Sequence, residues 1–166
     1  MGDIHSLKDA HLKSCTELYI KVFNAEPWKD EWTTESAYNR LTDILTSPNF
    51  IGVYYEEDKE IKAAIFGNCE HWFEGMHYNL KEMFVSAELQ GSGIGSKLLK
   101  HLEERLRKLG VVEIFLFTSK GNKTSYFYEK NGFSELEDMT MMAKEIELGS
   151  EDYDDEMQKG NGYSLS

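Results

Sequence analysis

The sequence predicts a mixed α/β (α+β) domain: a mostly antiparallel central sheet of about six to seven strands flanked by about four helices, with one strand–helix–strand unit at its heart. Three observations carry that expectation. Two β-type segments flank the polar turn Glu56–Glu60 as a hairpin and lead on to a further strand. A stretch from Ile94 to Leu109 places its apolar residues on one helical stripe. After Gly110 comes a nearly continuous apolar run, Val111 to Phe117, of the kind found in parallel strands covered on both faces.

Taken in order, Asp3 to Leu7 reads as a short strand. Asp9 can cap a first helix whose apolar face is Leu12, Cys15, Leu18, Tyr19, Val22 and Phe23, ending before Pro27. A second helix begins near Thr33 or Thr34, buries Ala37, Leu41, Ile44 and Leu45, and stops ahead of Pro48. Between the two lies the acidic, tryptophan-bearing loop Glu26-Pro27-Trp28-Lys29-Asp30-Glu31-Trp32. The hairpin strands are Ile51–Tyr55 and Ile61–Phe73, and a turn at Gly75 leads into the strand Tyr78–Val85.

The third helix has Ile94, Leu98, Leu102, Leu106 and Leu109 on one stripe and the pairs Glu103/Arg107 and Glu104/Lys108 on the other, with Gly110 as its stop. Strand, helix and strand then form a right-handed crossover. A fourth helix runs from about Lys123 to Lys130 and ends at Asn131-Gly132, and Phe133 to Ile146 reads as one or two closing strands. Residues 1–148 are expected to form the domain, and 149–166 an acidic, flexible tail with too few apolar residues to pack.

A chain of 166 residues, 40% of them hydrophobic, suits one domain with a real core. Cys15 and Cys69 have no metal-ligand spacing and cannot staple a fold of this size, which fits a reducing compartment. The first residues lack an apolar signal core, and no stretch approaches the roughly 18 apolar residues of a membrane span. A cytoplasmic protein with no membrane partner is expected.

A net charge of −12 argues against nucleic acid, whose phosphates need clustered Lys and Arg. Only part of that charge sits in the tail. An acidic body steers cationic substrates toward it, although such charge also serves solubility alone.

The loop Gln90-Gly91-Ser92-Gly93-Ile94-Gly95-Ser96 lies between a strand and the start of the third helix. Its glycines let the backbone turn sharply, and the unpaired amides of a helix start carry partial positive charge, a combination that cradles a pyrophosphate. Lys97 in the first turn, and Lys120 or Lys123 nearby, can add charge. Neither common nucleotide motif fits. Lys97 follows Ser96 and precedes Leu98, against the Gly-Lys-Ser/Thr of a Walker loop, and the third glycine of a dinucleotide-binding loop is missing.

With these residues in view, Gln90-x-x-Gly93-x-Gly95, preceded by a strand ending Glu82-Met83-Phe84-Val85, is similar to the Gln/Arg-x-x-Gly-x-Gly/Ala signature of GNAT acetyltransferases. Further on, Phe127-Tyr128-Glu129-Lys130-Asn131-Gly132-Phe133 resembles that family's Tyr-Glu-Lys-x-Gly-Phe segment. The resemblance is sharp over residues 79–133 and an outline elsewhere. It implies a GNAT fold that binds acetyl-CoA, with the backbone of Gly91, Ser92, Gly93, Ile94, Gly95 and Ser96 on the pyrophosphate, helped by Gln90 and Lys97. It implies as well that Met83, Phe84 and Val85 pair with the pantetheine arm. Where the family often has Asn, Gly121 stands here and Asn122 follows, which brings in Asn122 as a cofactor contact. Homodimers are common in the family.

Amide formation from a thioester needs a neutral amine, so a group must take the ammonium proton. The resemblance points to Glu82 for this or for holding the ammonium, and to Tyr128 as the acid for the departing thiolate; pairing of Glu82 with a basic neighbour and packing of Tyr128 are the competing readings. The family places the loop between the first two helices over the acceptor. Here that loop supplies Glu26, Trp28, Asp30, Glu31 and Trp32, and Glu70, Trp72 and Glu74 share one face of a strand. Carboxylates beside aromatic faces suit cations, favouring an aminoglycoside- or polyamine-like acceptor. A cofactor sensor and a protein or peptide acetyltransferase are the alternatives. His71 and His77 with Glu70 and Glu74 match no zinc spacing, so no metal is expected.

Overall fold

The computed structural model describes residues 1–149; the expected tail, apart from its first residue, lies outside the described residues. Residues 1–131 form one compact unit, and the described residues from Gly132 onward belong to another.

Within the first unit, five strands lie side by side in chain order: β1 (Asp3–Ser6), β2 (Phe50–Glu57), β3 (Glu60–Trp72), β4 (Gly75–Val85) and β5 (Val111–Phe115). Neighbours from β1 to β4 are antiparallel, and β5 alone runs parallel to its neighbour. The β2–β3 hairpin turns at Asp58 and Lys59, both left-handed with φ of 53° and 63°, the backbone pair whose twist matches that of the flanking strands. Between β4 and β5 the chain forms the expected crossover helix.

Helices α1 (Leu12–Phe23) and α2 (Thr34–Leu45) cover one face of the sheet. Their buried residues Leu12, Cys15, Leu18, Tyr19, Val22, Ala37, Leu41 and Ile44 meet Tyr54, Ala64, Phe66 and Phe84 in one cluster. These are the helical stripes read from the sequence. Asp9 is not the cap; it sits in a short 3-10 turn, Asp9–His11, where the Lys8 amide donates to His11 Nδ1 at 3.0 Å. Thr33 does cap α2, its Oγ1 accepting the Ser36 amide at 3.0 Å.

Strand alternation turns Val53, Tyr55, Ala63 and Ile65 to the other face, where α3 (Ile94–Lys108) packs with Leu98, Leu99, Leu102 and Leu106 buried. Leu109, expected on that stripe, falls at the helix C-cap and is exposed. The last helix, α4 (Lys123–Lys130), has the bounds expected.

Two strand expectations are corrected. Val112 and Phe117 are exposed, so β5 is not covered on both faces, and it ends at Phe115. From Phe133 to Ile146 there is no strand among the described residues; the second unit shows only a turn, with the Met139 amide donating to the Leu136 carbonyl at 3.2 Å. Alternating polarity makes a segment able to join a ladder, but a strand forms only where a neighbouring strand completes that ladder.

Candidate active site

Strand β4 runs from Gly75 to Val85, yet β5 pairs only with Met76 to Asn79. Past that point a cleft opens between Leu80, Lys81, Glu82 and Met83 on one side and Leu116 to Ser119 on the other. Backbone groups of β4 that do not bond β3 are left facing it, as alternate groups of any strand edge must be.

The antiparallel ladder on the β3 side is also interrupted here. Gly67 pairs with Leu80 and Phe66 with Glu82, so Lys81 is an extra residue, a β-bulge. A bulge bends its strand and re-aims the following side chain. Gly67 permits it, since a Cβ there would run into the Asn79 carbonyl and the Tyr78 ring.

At the end of β4 the glycine loop leads into α3. Gly91 and Gly93 have φ of 79° and 89°, and a Cβ on either would meet nothing within 4 Å, so their backbone borders open space. Gly93 is the helix N-cap, and the amides of Ile94, Gly95 and Ser96 that follow have no acceptor within the helix. The Ser92 amide differs from expectation: it donates to the Leu89 carbonyl at 3.2 Å and is used in holding the turn. Gly95 is closely packed: a Cβ there would press on Phe127 at 3.2 Å and Met83 at 3.3 Å. The loop, β4 and α4 therefore meet closely at Gly95. This open backbone cradle at a helix start fits the pyrophosphate of a CoA thioester.

The polar side chains of this region brace it. Gln90 Nε2 donates to the Val85 carbonyl at 3.1 Å, tying loop to strand. Lys97 Nζ lies 5.9 Å over the Tyr55 ring. Asn122 is the N-cap of α4, its Oδ1 accepting the Thr124 and Ser125 amides at 2.9 and 3.1 Å. Of the three strand residues, Met83 lines the cleft, Val85 pairs with Ala63, and the Phe84 side chain is in the core, so Phe84 offers the cleft backbone alone.

Glu82 and Tyr128 line the same cleft. One oxygen of Glu82, Oε1, receives both the Tyr19 hydroxyl at 3.2 Å and Arg40 Nε at 2.9 Å. Burial raises the Glu82 carboxyl above its ordinary value, against the lowering pull of Arg40 and of the Tyr19 hydrogen bond. Burial, with the Glu82 charge second, pushes the Tyr128 phenol up to about 12. It stays protonated at neutral pH, the state a general acid requires.

From the acceptor loop, Trp28 lines the cleft with Phe23, whose ring it meets edge-on at 5.3 Å. Trp32 instead packs edge-on against Tyr19 at 5.1 Å, while its Nε1 donates to Asp30 at 3.1 Å. Glu26 is engaged by Lys29 at 2.6 Å. The loop is closed by a reciprocal pair: Asn24 Nδ2 donates to the Trp32 carbonyl and the Trp32 amide to Asn24 Oδ1, both at 2.9 Å.

Glu70 and Trp72 are not brought to the cleft. Trp72 pairs with Gly75 beside the β3–β4 turn, at the opposite end of β4 from Glu82, and stacks on His77 at 5.1 Å. Glu70 pairs in register with His77, which sits 2.9 Å from Glu74. Strand alternation puts these residues on one face, but the hairpin's direction carries them away from the site.

The sequence does not mark as site residues Phe23, Lys81, Leu116 to Ser119, or the pair that holds Glu82, Tyr19 and Arg40. Arg40 does leave a trace in sequence. It is the only basic residue of α2 and lies beside Leu41 and one turn after Ala37, at the border of the buried stripe.

These features define an α/β domain with a ligand cleft where two parallel strands part beside a helix-start anion cradle. The chain belongs to the GNAT acetyltransferase family: residues 47–135 match the acetyltransferase (GNAT) domain. An amino-acid acetyltransferase of Ralstonia nicotianae is 39% identical over 49 residues, which are 30% of this chain and only 10% of that protein. A possible acetyltransferase from Clostridium difficile 630 superposes with a TM-score of 0.75 at 17% identity, covering 89% of this chain and 99% of that one.

An aminoglycoside N-acetyltransferase in complex with CoA gives a TM-score of 0.68 at 16% identity, with 88% and 96% of the two chains covered. Another aminoglycoside acetyltransferase, from an uncultured soil metagenomic sample and in complex with sisomicin, gives 0.69 at 16% identity over 88% and 97%. At such identities the likeness is one of fold. No helix among the described residues is long and apolar enough to cross a membrane.

Proposed function

We propose that this protein moves an acetyl group from acetyl-CoA to a small cationic primary amine, of aminoglycoside or polyamine type, by direct attack within a ternary complex. The observation that carries the reading is the convergence of Glu82 and Tyr128 on one cleft beside the glycine cradle. Acetyl-CoA supplies an activated acetyl thioester. The amides of Gly91, Gly93, Ile94, Gly95 and Ser96 hold its pyrophosphate, and the backbone of Met83, Phe84 and Val85 aligns the pantetheine arm.

Glu82, whose ionised form Arg40 favours against burial, receives the ammonium of the acceptor at Oε2 and takes its proton directly or through water, so that nitrogen can attack the acetyl carbon. A β4 amide near Phe84 stabilises charge on the acetyl oxygen. Tyr128 donates its proton to sulfur as the carbon–sulfur bond breaks, and the second proton shed by the nitrogen restores the phenol through water, leaving the amide, the free thiol and the proton held by Glu82, which passes to solvent. Holding amine and thioester together contributes several kcal/mol to the rate.

A cationic acceptor is supported by Glu82 and the Trp28 face at the cleft, by the Asp30 charge that acts on Glu82, and by the net charge of −12. The structural neighbours named as aminoglycoside acetyltransferases point the same way. Two free, buried cysteines suit a reducing cytoplasm. The testing experiment is release of free CoA thiol from acetyl-CoA across aminoglycosides, polyamines, amino acids and peptides. Acetylation of cationic amines is expected; turnover only with neutral or anionic acceptors overturns the substrate class, and none with any amine overturns the activity.

A further inference from the structure

We propose that Arg40 is a positioning residue for acetyl transfer: with Tyr19 it fixes one oxygen of Glu82, so that the other is presented to the acceptor amine. The inference rests on the role given to Glu82 above and adds what sets that residue's orientation and charge state. Arg40 Nε at 2.9 Å and the Tyr19 hydroxyl at 3.2 Å both meet Oε1, leaving Oε2 for a further donor. The two come from different helices, α2 and α1, and converge on the residue that follows the bulge at Lys81. The carboxylate is thereby held from two directions, which a single flexible contact cannot do.

A purely structural role fits poorly. The side chains of Arg40 and Glu82 are 40% and 14% exposed, and a partly exposed ion pair adds little stability, whereas apolar residues in its place pack as well or better. A paired carboxylate at a cleft wall instead serves to keep a charge in a defined place. The groups acting on Glu82 are Arg40 from α2, Tyr19 from α1, Asp30 from the acceptor loop and, across the cleft, Tyr128 from α4. Among these only Arg40 is a cation, so its removal leaves the Tyr19 hydrogen bond alone to oppose burial and Asp30, which favour the protonated carboxyl.

The clamp also joins acceptor loop to base. Tyr19 carries Trp32 on its ring, and Trp32 is tied back to Asn24 by two hydrogen bonds. Acceptor loop and carboxylate are therefore one packed assembly.

The test uses the full chain and the variants Arg40→Ala, Arg40→Lys and Glu82→Gln. The Glu82 carboxyl is titrated by carbon NMR, a readout that needs no acceptor, and acetyl transfer to spermidine and to sisomicin is followed by thiol release. In Arg40→Ala the carboxyl titration is expected to move up by about one unit. Turnover should fall by up to about a hundredfold, with the acid limb of its pH profile moving up, while acetyl-CoA affinity stays unchanged. Arg40→Lys should recover the charge effect and only part of the turnover.

An unmoved carboxyl titration in Arg40→Ala overturns the inference, as does acetyl-CoA affinity falling in step with turnover. Full activity in Glu82→Gln sinks the proton-accepting role itself, a failure distinct from that of Arg40.

Discussion

The proposed cofactor end of the cleft is built from backbone, and the proposed acceptor end from side chains. At the first, the turn through Gly91 and Gly93 and the start of α3 offer amides within a few consecutive residues. At the second, Glu82 is held by Tyr19 and Arg40, partners 63 and 42 residues away in sequence. A backbone cradle tolerates any side chain that leaves its turn intact, whereas the clamp depends on three particular side chains from three elements. One half is a shape written locally; the other is a tertiary coincidence. Substitutions should therefore separate binding of acetyl-CoA from transfer of the acetyl group.

The largest separation is expected from Glu82→Gln. Its turnover should drop by about a hundredfold to ten-thousandfold, the range of a lost general base, while calorimetry shows acetyl-CoA affinity intact. Equal losses in both would dissolve the distinction between the two halves. Tyr128→Phe should follow with a loss of roughly tenfold to a hundredfold in turnover, again without weakened acetyl-CoA binding; an unchanged rate removes Tyr128 from the chemistry.

On the cofactor side, Gly93→Ala forces a side chain into the left-handed region at a cost of about 1–2 kcal/mol. It should weaken acetyl-CoA binding by roughly tenfold, yet leave turnover at saturating acetyl-CoA near its original value. A variant that binds normally but turns over slowly would reverse the assignment of the loop.

The pH profile sharpens the comparison further. Glu82 must be ionised to accept a proton and its folded value is raised, so the rate should climb with pH on a limb lying above the ordinary glutamate range. Acetyl-CoA binding should not follow that limb. The smallest effect is assigned to Asn122→Ala, which removes the α4 cap. A loss of about 1 kcal/mol in stability is expected, seen as a lower melting temperature with little change in acetyl-CoA affinity.

What the sequence disclosed follows the same division. The glycine loop, the amphipathic stripe of α3 and the Tyr128 segment are short-range patterns, and the structure places them where the βαβ unit requires. The bulge at Lys81 and the Tyr19–Arg40 clamp left no such pattern, because both arise from registers between segments far apart. Glu70 and Trp72 show the converse: alternation correctly put them on one face, but which end of a strand meets the cleft depends on where β5 stops pairing. The closing strands expected at residues 133–146 failed for a related reason, since polarity states which residues are able to pair and not whether a partner is present.

The melting temperature with saturating acetyl-CoA tests the proposed cofactor cradle most directly. At about 100 times its dissociation constant a ligand adds about 2.7 kcal/mol. For a chain of this size that is roughly 5–10 °C. A rise of that order is the predicted result, and a melting temperature that does not move at saturating acetyl-CoA would contradict the account.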